Sequence, residues 1–304
     1  MRSRPSSLPA TGLVAGMAAY TIWGFFPVYF KATQAVDTVE LVAHRVVWSL
    51  PFGFAILALR GQIGATWRAF RKGAVVRWLA LGAVLMSVNW GLYIWAIQAE
   101  RIFEASLGYY INPLMYVLVG IGFFGERLNR AQAVAVALAV IGVAVLTVAG
   151  GAFPWVSLVL AASFTAYGVI RKRVEVGAMP GLFVEIAVLF PVAAAYLLWR
   201  VGSGASPLGG GDAGLDALLL LAGPLTVMPL LFFAVAARRL PLSMIGFLQF
   251  IGPTLQFACG LYYGEAFTPA HAVCFGLIWS AVAVFVFGLW QKSRQAGRAV
   301  PLHT

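Results

Sequence analysis

Long apolar runs separated by short polar breaks set the rhythm of this chain. Within each run the apolar residues follow one another on every helical face, which is the pattern of a helix surrounded by hydrocarbon or protein on all sides. An α-helix rises about 1.5 Å per residue, so about 20 residues cross the roughly 30 Å hydrocarbon core of a bilayer. Runs of that size lie near 11–31, 38–59, 76–98, 104–125, 130–149, 153–171, 180–199, 215–237, 241–262 and 268–291. The pattern therefore predicts an all-α integral membrane protein with ten transmembrane helices. The short basic start, Met1 to Ala10, precedes a run with no small-residue cleavage signal, so the first run reads as a retained helix rather than a signal peptide. Two connections are long: Arg60 to Val75, and the Gly/Ser-rich stretch from Val201 to Gly214, which reads as a flexible loop.

Composition agrees with the pattern. The 304 residues are 62% hydrophobic and only 10% charged, against about 25% charged in an ordinary soluble domain. The net charge of +11 would suggest nucleic acid in a soluble protein. Here the basic residues sit at helix ends and no extended basic surface lies outside the predicted spans, so nucleic acid is excluded as a partner. Of the 21 Lys and Arg residues, Lys31, Arg101 and Arg200 fall on one side, Arg45 falls inside the second span, and all the others fall on the opposite side. Basic loops stay in the cytoplasm. The expected orientation is a multi-pass protein of the plasma (inner) membrane with both termini cytoplasmic.

The two halves resemble each other. Gly125-Glu126, with Ala131, Ala133 and Val134, aligns with Gly264-Glu265, Ala270, Ala272 and Val273. Upstream, Ala96, Ala99, Arg101 and Gly108 align with Ala234, Ala237, Arg239 and Gly246; Trp23-Gly24 matches Tyr167-Gly168, and Glu40 matches Glu185. Each half, residues 1–150 and 151–304, holds five predicted spans. An odd number per repeat inverts the second copy, giving two inverted five-helix repeats. Such a repeat supports two nearly mirror-related states around a midplane site, as a carrier needs; channels can also show it, so the repeat alone does not separate carrier from channel.

Several segments carry a family resemblance. They are Ala19-Tyr20-Thr21-Ile22-Trp23-Gly24 with Pro27 and Lys31, Ala43-His44-Arg45 with Trp48-Ser49, Asn89-Trp90, and Glu104 to Leu114 around Asn112-Pro113. Tyr167-Gly168 with Arg171-Lys172, Gly246 to Thr254, and Tyr263-Gly264-Glu265 complete the set. In order and spacing the chain resembles RarD-type proteins of the EamA branch of the drug/metabolite transporter superfamily. The resemblance implies ten helices in two EamA-like repeats and export of small metabolites. Amino acids, with broad specificity, are the cargo it points to; a drug or amphenicol permease is the alternative.

Ionisable residues inside spans cost about 2.5–3.5 kcal/mol at the helix centre, so each needs a reason. Glu40, His44 and Arg45 in the second span and Glu185 in the seventh are the candidates for proton binding or ion pairing. Glu40 and His44 are spaced i,i+4 and share a face with Trp48, within hydrogen-bonding reach of one another. They read either as a titrating pair or as a polar latch to a neighbouring helix. The predicted depths of Arg45 and Glu185 differ, which argues against pairing between them. Deeper neutral polar and aromatic residues are the candidate substrate-binding set: Trp23, Asn89, Tyr93, Tyr109, Asn112, Tyr167 and Gln249, around a central cavity that suits amphipathic or zwitterionic solutes. Gln256 lies near mid-span as well, with Ser163 and Thr165 in the sixth predicted span. Trp67, Trp78, Trp155 and Trp290 read as interfacial anchors.

No nucleotide-binding loop occurs, so transport is expected to be passive or proton-linked and not ATP-driven. The expected partners are a small-molecule substrate and membrane lipid. No metal-ligand spacing, cofactor motif or nucleophile context is present, so neither metal nor cofactor nor catalytic residue is expected, and the protein is not expected to be an enzyme. An intramembrane enzyme built on Glu40 and His44 is a remote alternative. It does not account for the counterpart of Glu40 in the second half. Cys259 and Cys274 lie in apolar runs and read as buried thiols.

Overall fold

The computed structural model describes residues 8–124, 130–151, 153–240 and 242–298. Among the described residues there are thirteen α-helices and no strand. They are α1 (Leu8–Gly24), α2 (Phe26–Ala32), α3 (Thr38–Leu59), α4 (Ile63–Phe70), α5 (Gly73–Gln98), α6 (Ile102–Phe124) and α7 (Arg130–Gly150). The second half holds α8 (Trp155–Arg173), α9 (Ala178–Gly202), α10 (Ala213–Arg239), α11 (Leu242–Gln249), α12 (Ile251–Tyr262) and α13 (Pro269–Arg298). Eight described segments are long and apolar enough to cross a membrane: α1 joined with α2, then α3, α5, α6, α7, α9, α10 and α13. The two other expected spans correspond to α8 and to α11 with α12. The first carries Arg171, Lys172 and Arg173 in its last turn. The second is broken at Phe250.

The breaks have local causes. Pro27 falls in the first turn of α2 and Pro253 in that of α12, where a missing N–H costs nothing because no intrahelical acceptor exists for it. The first span therefore splits at Phe25 and the ninth at Phe250. Asp37 starts α3 by accepting the backbone N–H groups of Val39 and Glu40, at 2.9 and 3.3 Å.

Both long connections are structured. Arg60 to Val75 contains α4, whose Ile63 and Trp67 are exposed beside basic residues, as suits a helix lying at a membrane surface. The stretch from Val201 to Gly214 is tied down and is not a free loop. Its Ser206 hydroxyl donates to the Glu40 carboxylate, Leu208 packs into the core, and the Gly209 N–H donates to Asp216 at 2.8 Å. Compositional flexibility is overridden by three tertiary contacts.

The helices pack mainly across the halves. α1 lies along α10, α7 along α13, α3 against α9 and α10, α5 against α8 and α9, α6 against α8 and α12, and α1 against α12. Large apolar side chains cover the outside; Leu59 is 88% and Val148 83% exposed, in keeping with a hydrocarbon-facing surface.

Glycine sets two of the closest approaches. A Cβ on Gly223 would collide with the carbonyl oxygen of Trp48, and one on Gly108 would sit 2.8 Å from that of Ser157. Small residues at such crossings let helix backbones touch. Gly223→Ala should therefore lower stability by about 1–3 kcal/mol, the usual cost of overpacking. Gly276→Ala, where a Cβ meets nothing within 4 Å, should be neutral. Unfolding of the two purified variants beside the parent checks this, and equal losses at both positions would refute the packing argument.

Candidate functional site

The second predicted span delivers the charged groups. One turn into α3, Glu40 is fully buried. Its carboxylate accepts from Arg200 at the end of α9, at 2.7 Å from Nη2 and 3.0 Å from Nε, and from the Ser206 hydroxyl. His44 follows one turn later. Its Nδ1 accepts the indole N–H of Trp48 at 3.0 Å, so the neutral ring carries its proton on Nε2. That nitrogen lies 3.8 Å from Glu40 Oε1, an ion-pair distance too long for the expected hydrogen bond. The i,i+4 spacing brings the two side chains together, but Arg200 and Ser206 pull the carboxylate toward α9.

Glu185 marks the opposite end of the α3–α9 pair. It accepts the Tyr167 hydroxyl at 3.0 Å and Arg171 Nη1 at 3.3 Å. Arg45 and Glu185 do not pair; each has its own neighbours. Arg45 is 4% exposed. Its guanidinium carbon lies 4.3 Å from the Trp90 ring centre, 5.4 Å from Phe26 and 5.7 Å from Phe30, and its Nε donates to Thr226 at 3.0 Å. Its Nη1 is buried without a hydrogen-bond partner.

The deeper candidates fall into separate groups. Asn89 is fully buried, donating to the Leu160 carbonyl at 3.0 Å and to Ser163 at 2.9 Å, while its Oδ1 accepts from Tyr109 at 3.3 Å. Rings then run in sequence: Phe30 to Tyr93 at 5.9 Å, Tyr93 to Tyr109 at 5.5 Å, Tyr109 to Phe164 at 6.0 Å, and Phe164 to Tyr167 at 6.4 Å. This aromatic column links the Arg45 environment to Glu185. Trp23 lies outside it, against Tyr20 and Phe233, with its carbonyl accepting from Gln256 at 3.2 Å. Asn112 is fully buried with both amide atoms unpartnered, and Gln249 is half-buried at the α11–α12 break. Surface depressions of about 210 and 390 Å³ lie beside Arg68 and Lys72 and beside Arg77 and Trp78, and neither is lined by the column.

Sequence reading did not single out Phe26, Phe30, Phe164 or Thr226. Apolar rings in apolar runs carry no distinguishing signal, and a threonine at helical spacing looks like any other. Glu126 lies outside the described residues, and the side chain of Trp290 outside the described side chains.

Glu265, the counterpart of Glu126, sits in the turn before α13. Its two carboxylate oxygens accept the Phe103 N–H at the start of α6, at 3.1 and 3.2 Å. Burial raises its pKa from 4.5 to about 7, with Glu104 adding to the rise and the backbone N–H groups and Lys31 opposing it.

Eight described segments long and apolar enough to span, packed as one bundle, make this a multi-pass membrane protein. The model of the EamA-like transporter family matches residues 10–148. An uncharacterized transporter of Vibrio cholerae is 46% identical, covering 95% of this chain and 96% of its own length. Protein RarD of Escherichia coli is 41% identical, over 94% and 97%. The chloramphenicol-sensitive protein RarD of Pseudomonas aeruginosa is 36% identical, over 93% and 95%. The chain belongs to the EamA-like transporter family, and within it to the RarD-type transporters. A solved crystal structure shares the fold, with a TM-score of 0.59 at 20% identity, covering 91% of this chain and 97% of that one.

The raised carboxyl of Glu265 has a pH consequence. The unfolded chain loses this proton near pH 4.5 and the folded chain only near 7. Between those values the folded state binds more protons, so its stability falls as pH rises from about 4.5 to about 7, then levels. Glu265→Gln should flatten that part of the profile. Melting temperatures of parent and variant from pH 4.5 to 8 test this; parallel profiles would remove the role of Glu265.

Proposed function

We propose that this protein is a secondary carrier that exports small metabolites across the plasma membrane by alternating access. Amino acids, handled with broad specificity, are the proposed cargo. The chain is read as ten spans in two inverted five-helix repeats, residues 1–150 and 151–304, with both termini cytoplasmic. In this reading α1 with α2, α3, α5, α6 and α7 correspond in order to α8, α9, α10, α11 with α12, and α13.

The observation that carries the proposal is the behaviour of helix contacts under that exchange. The pair α1–α10 becomes α8–α5, α3–α10 becomes α9–α5, and α6–α8 becomes α12–α1; each image pair is also in contact. The pairs α3–α9, α6–α12 and α7–α13 map onto themselves. Packing that survives exchange of the halves gives two arrangements of similar energy, one open to each side, which alternating access requires.

The two ion-paired ends fit the same scheme. Glu40 with Arg200 and Ser206 closes the end carrying Lys31 and Arg101, and Glu185 with Arg171 and Tyr167 closes the other. With both in place the bundle is shut at each end. The cargo class is supported by an aromatic column with the Asn89 amide beside it and a cation at its head, an environment that suits a small amphipathic zwitterion. A second reading, a drug or amphenicol permease, is favoured by one observation: a relative bears the name chloramphenicol-sensitive protein.

Flux into proteoliposomes separates these readings. Several labelled amino acids should move down their gradients without ATP. Movement of chloramphenicol alone, with no amino acid carried, would replace the first reading with the second. Imposed pH gradients applied to the parent, His44→Ala and Glu40→Gln give the coupling: dependence lost in both variants assigns a proton to this pair, and indifference in the parent makes the carrier passive.

A further inference from the structure

We infer that Arg45 is the anchor for the carboxylate of the transported solute, held with Phe26, Phe30, Trp90 and Thr226 as one built site at the head of the aromatic column. The inference deepens the carrier reading above and rests on it.

A buried guanidinium carries a full charge and five N–H donors. Among the described residues no carboxylate lies within 4.0 Å of Arg45. The carboxylates nearest in function are already engaged, Glu40 by Arg200 and Ser206 and Glu185 by Arg171 and Tyr167. Arg45 meets three rings and one hydroxyl instead, and its Nη1 is left without a partner. The hydroxyl of Tyr93, which is in ring contact with Phe30, is also buried and unpartnered. A cation clamped between ring faces is fixed in position yet keeps its in-plane N–H groups for an anion. An arginine fork matches a carboxylate in geometry and charge.

A ring-bearing solute suits the rest of the site. Its apolar part would lie along Tyr93 and Tyr109, continuing the edge-to-face sequence already present. The inference therefore takes as ligand a small monocarboxylate with an apolar or aromatic side chain, and makes the carboxylate, not the amine, the recognised group.

Calorimetric binding to the full-length protein in lipid nanodiscs tests this with L-phenylalanine, hydrocinnamate and L-phenylalaninamide. The parent should bind both carboxylates roughly tenfold or more tighter than the amide, the preference expected of a charge-assisted fork. Arg45→Gln should abolish that preference, Arg45→Lys should keep part of it, and Thr226→Val, which removes the Nε partner and leaves the charge, should weaken binding of both acids alike. A parent that binds the amide as tightly as the acids, or binds neither acid, overturns the anchor without any variant having to fold. An Arg45→Gln protein of parent-like melting that retains the preference also overturns it. Flux of L-phenylalanine without carboxylate preference leaves the carrier reading standing and the anchor refuted; carboxylate preference without flux does the reverse.

Discussion

The Arg45 guanidinium, buried in the helical bundle and met by no carboxylate among the described residues, is the constraint around which the first half of this protein is arranged. Placing a charge there costs about 2.5–3.5 kcal/mol, while a desolvated cation–π contact returns up to about 2 kcal/mol. The Trp90, Phe26 and Phe30 rings together with Thr226 can offset that cost. They do so only if α2, α5 and α10 all close on α3. The α10 approach depends on Gly223, whose missing side chain lets that helix rest on the Trp48 carbonyl. Arg45 and Thr226 each lie three residues from that crossing, one turn along their helices, which is why the hydrogen bond between them forms.

Charge is handled differently at the ends of the same helix pair. Glu40 and Glu185 are matched by Arg200 and Arg171, whose side chains are partly exposed. Breaking either pair returns the arginine to a wetter edge, but its buried carboxylate must then gain water or another partner. The centre has no such partner to give up. In the proposed carrier the two ends would serve as closures while the centre stays fixed.

Much of this was legible in the sequence. Apolar run length gave the helices, and the cost of intramembrane charge pointed to Glu40, His44, Arg45 and Glu185. The helical period placed His44 between Glu40 and Trp48. What remained hidden is what sequence spacing cannot carry. Arg200 closes on Glu40 across 160 positions, and Thr226 reaches Arg45 across 181. Phe26, Phe30 and Phe164 are indistinguishable by type from the lipid-facing apolar residues around them. Asn89 and Tyr109 are bonded, and Trp23 packs both against the cluster that holds Tyr93 and against Tyr20 and Phe233. Depth along the membrane normal could be estimated for each of these residues, but the direction each faces depends on the packing of helices from the other half.

The way the halves share the column suggests where it would open. Phe30, Tyr93 and Tyr109 all belong to the first half, and so do the three rings around Arg45. The column crosses between halves at Tyr109–Phe164, accompanied by the Asn89 bonds to Ser163 and Leu160. Among the described residues, the hydrogen bond that Arg45 makes across the halves is to Thr226. A rocking motion of one half against the other would leave the cation and its rings intact while releasing the Thr226 bond to the guanidinium, the Tyr109–Phe164 ring contact and the two Asn89 bonds beside it. An edge-to-face contact is worth about 0.5–1.5 kcal/mol and a hydrogen bond to a charged group about 1.5–3 kcal/mol. A bound carboxylate that supplied the missing partner of Nη1 would add a charge-assisted bond of that size to the cation and offset part of what the motion removes. Solute binding would then lower the cost of parting, with the cation held in place through the cycle by the rings of its own half.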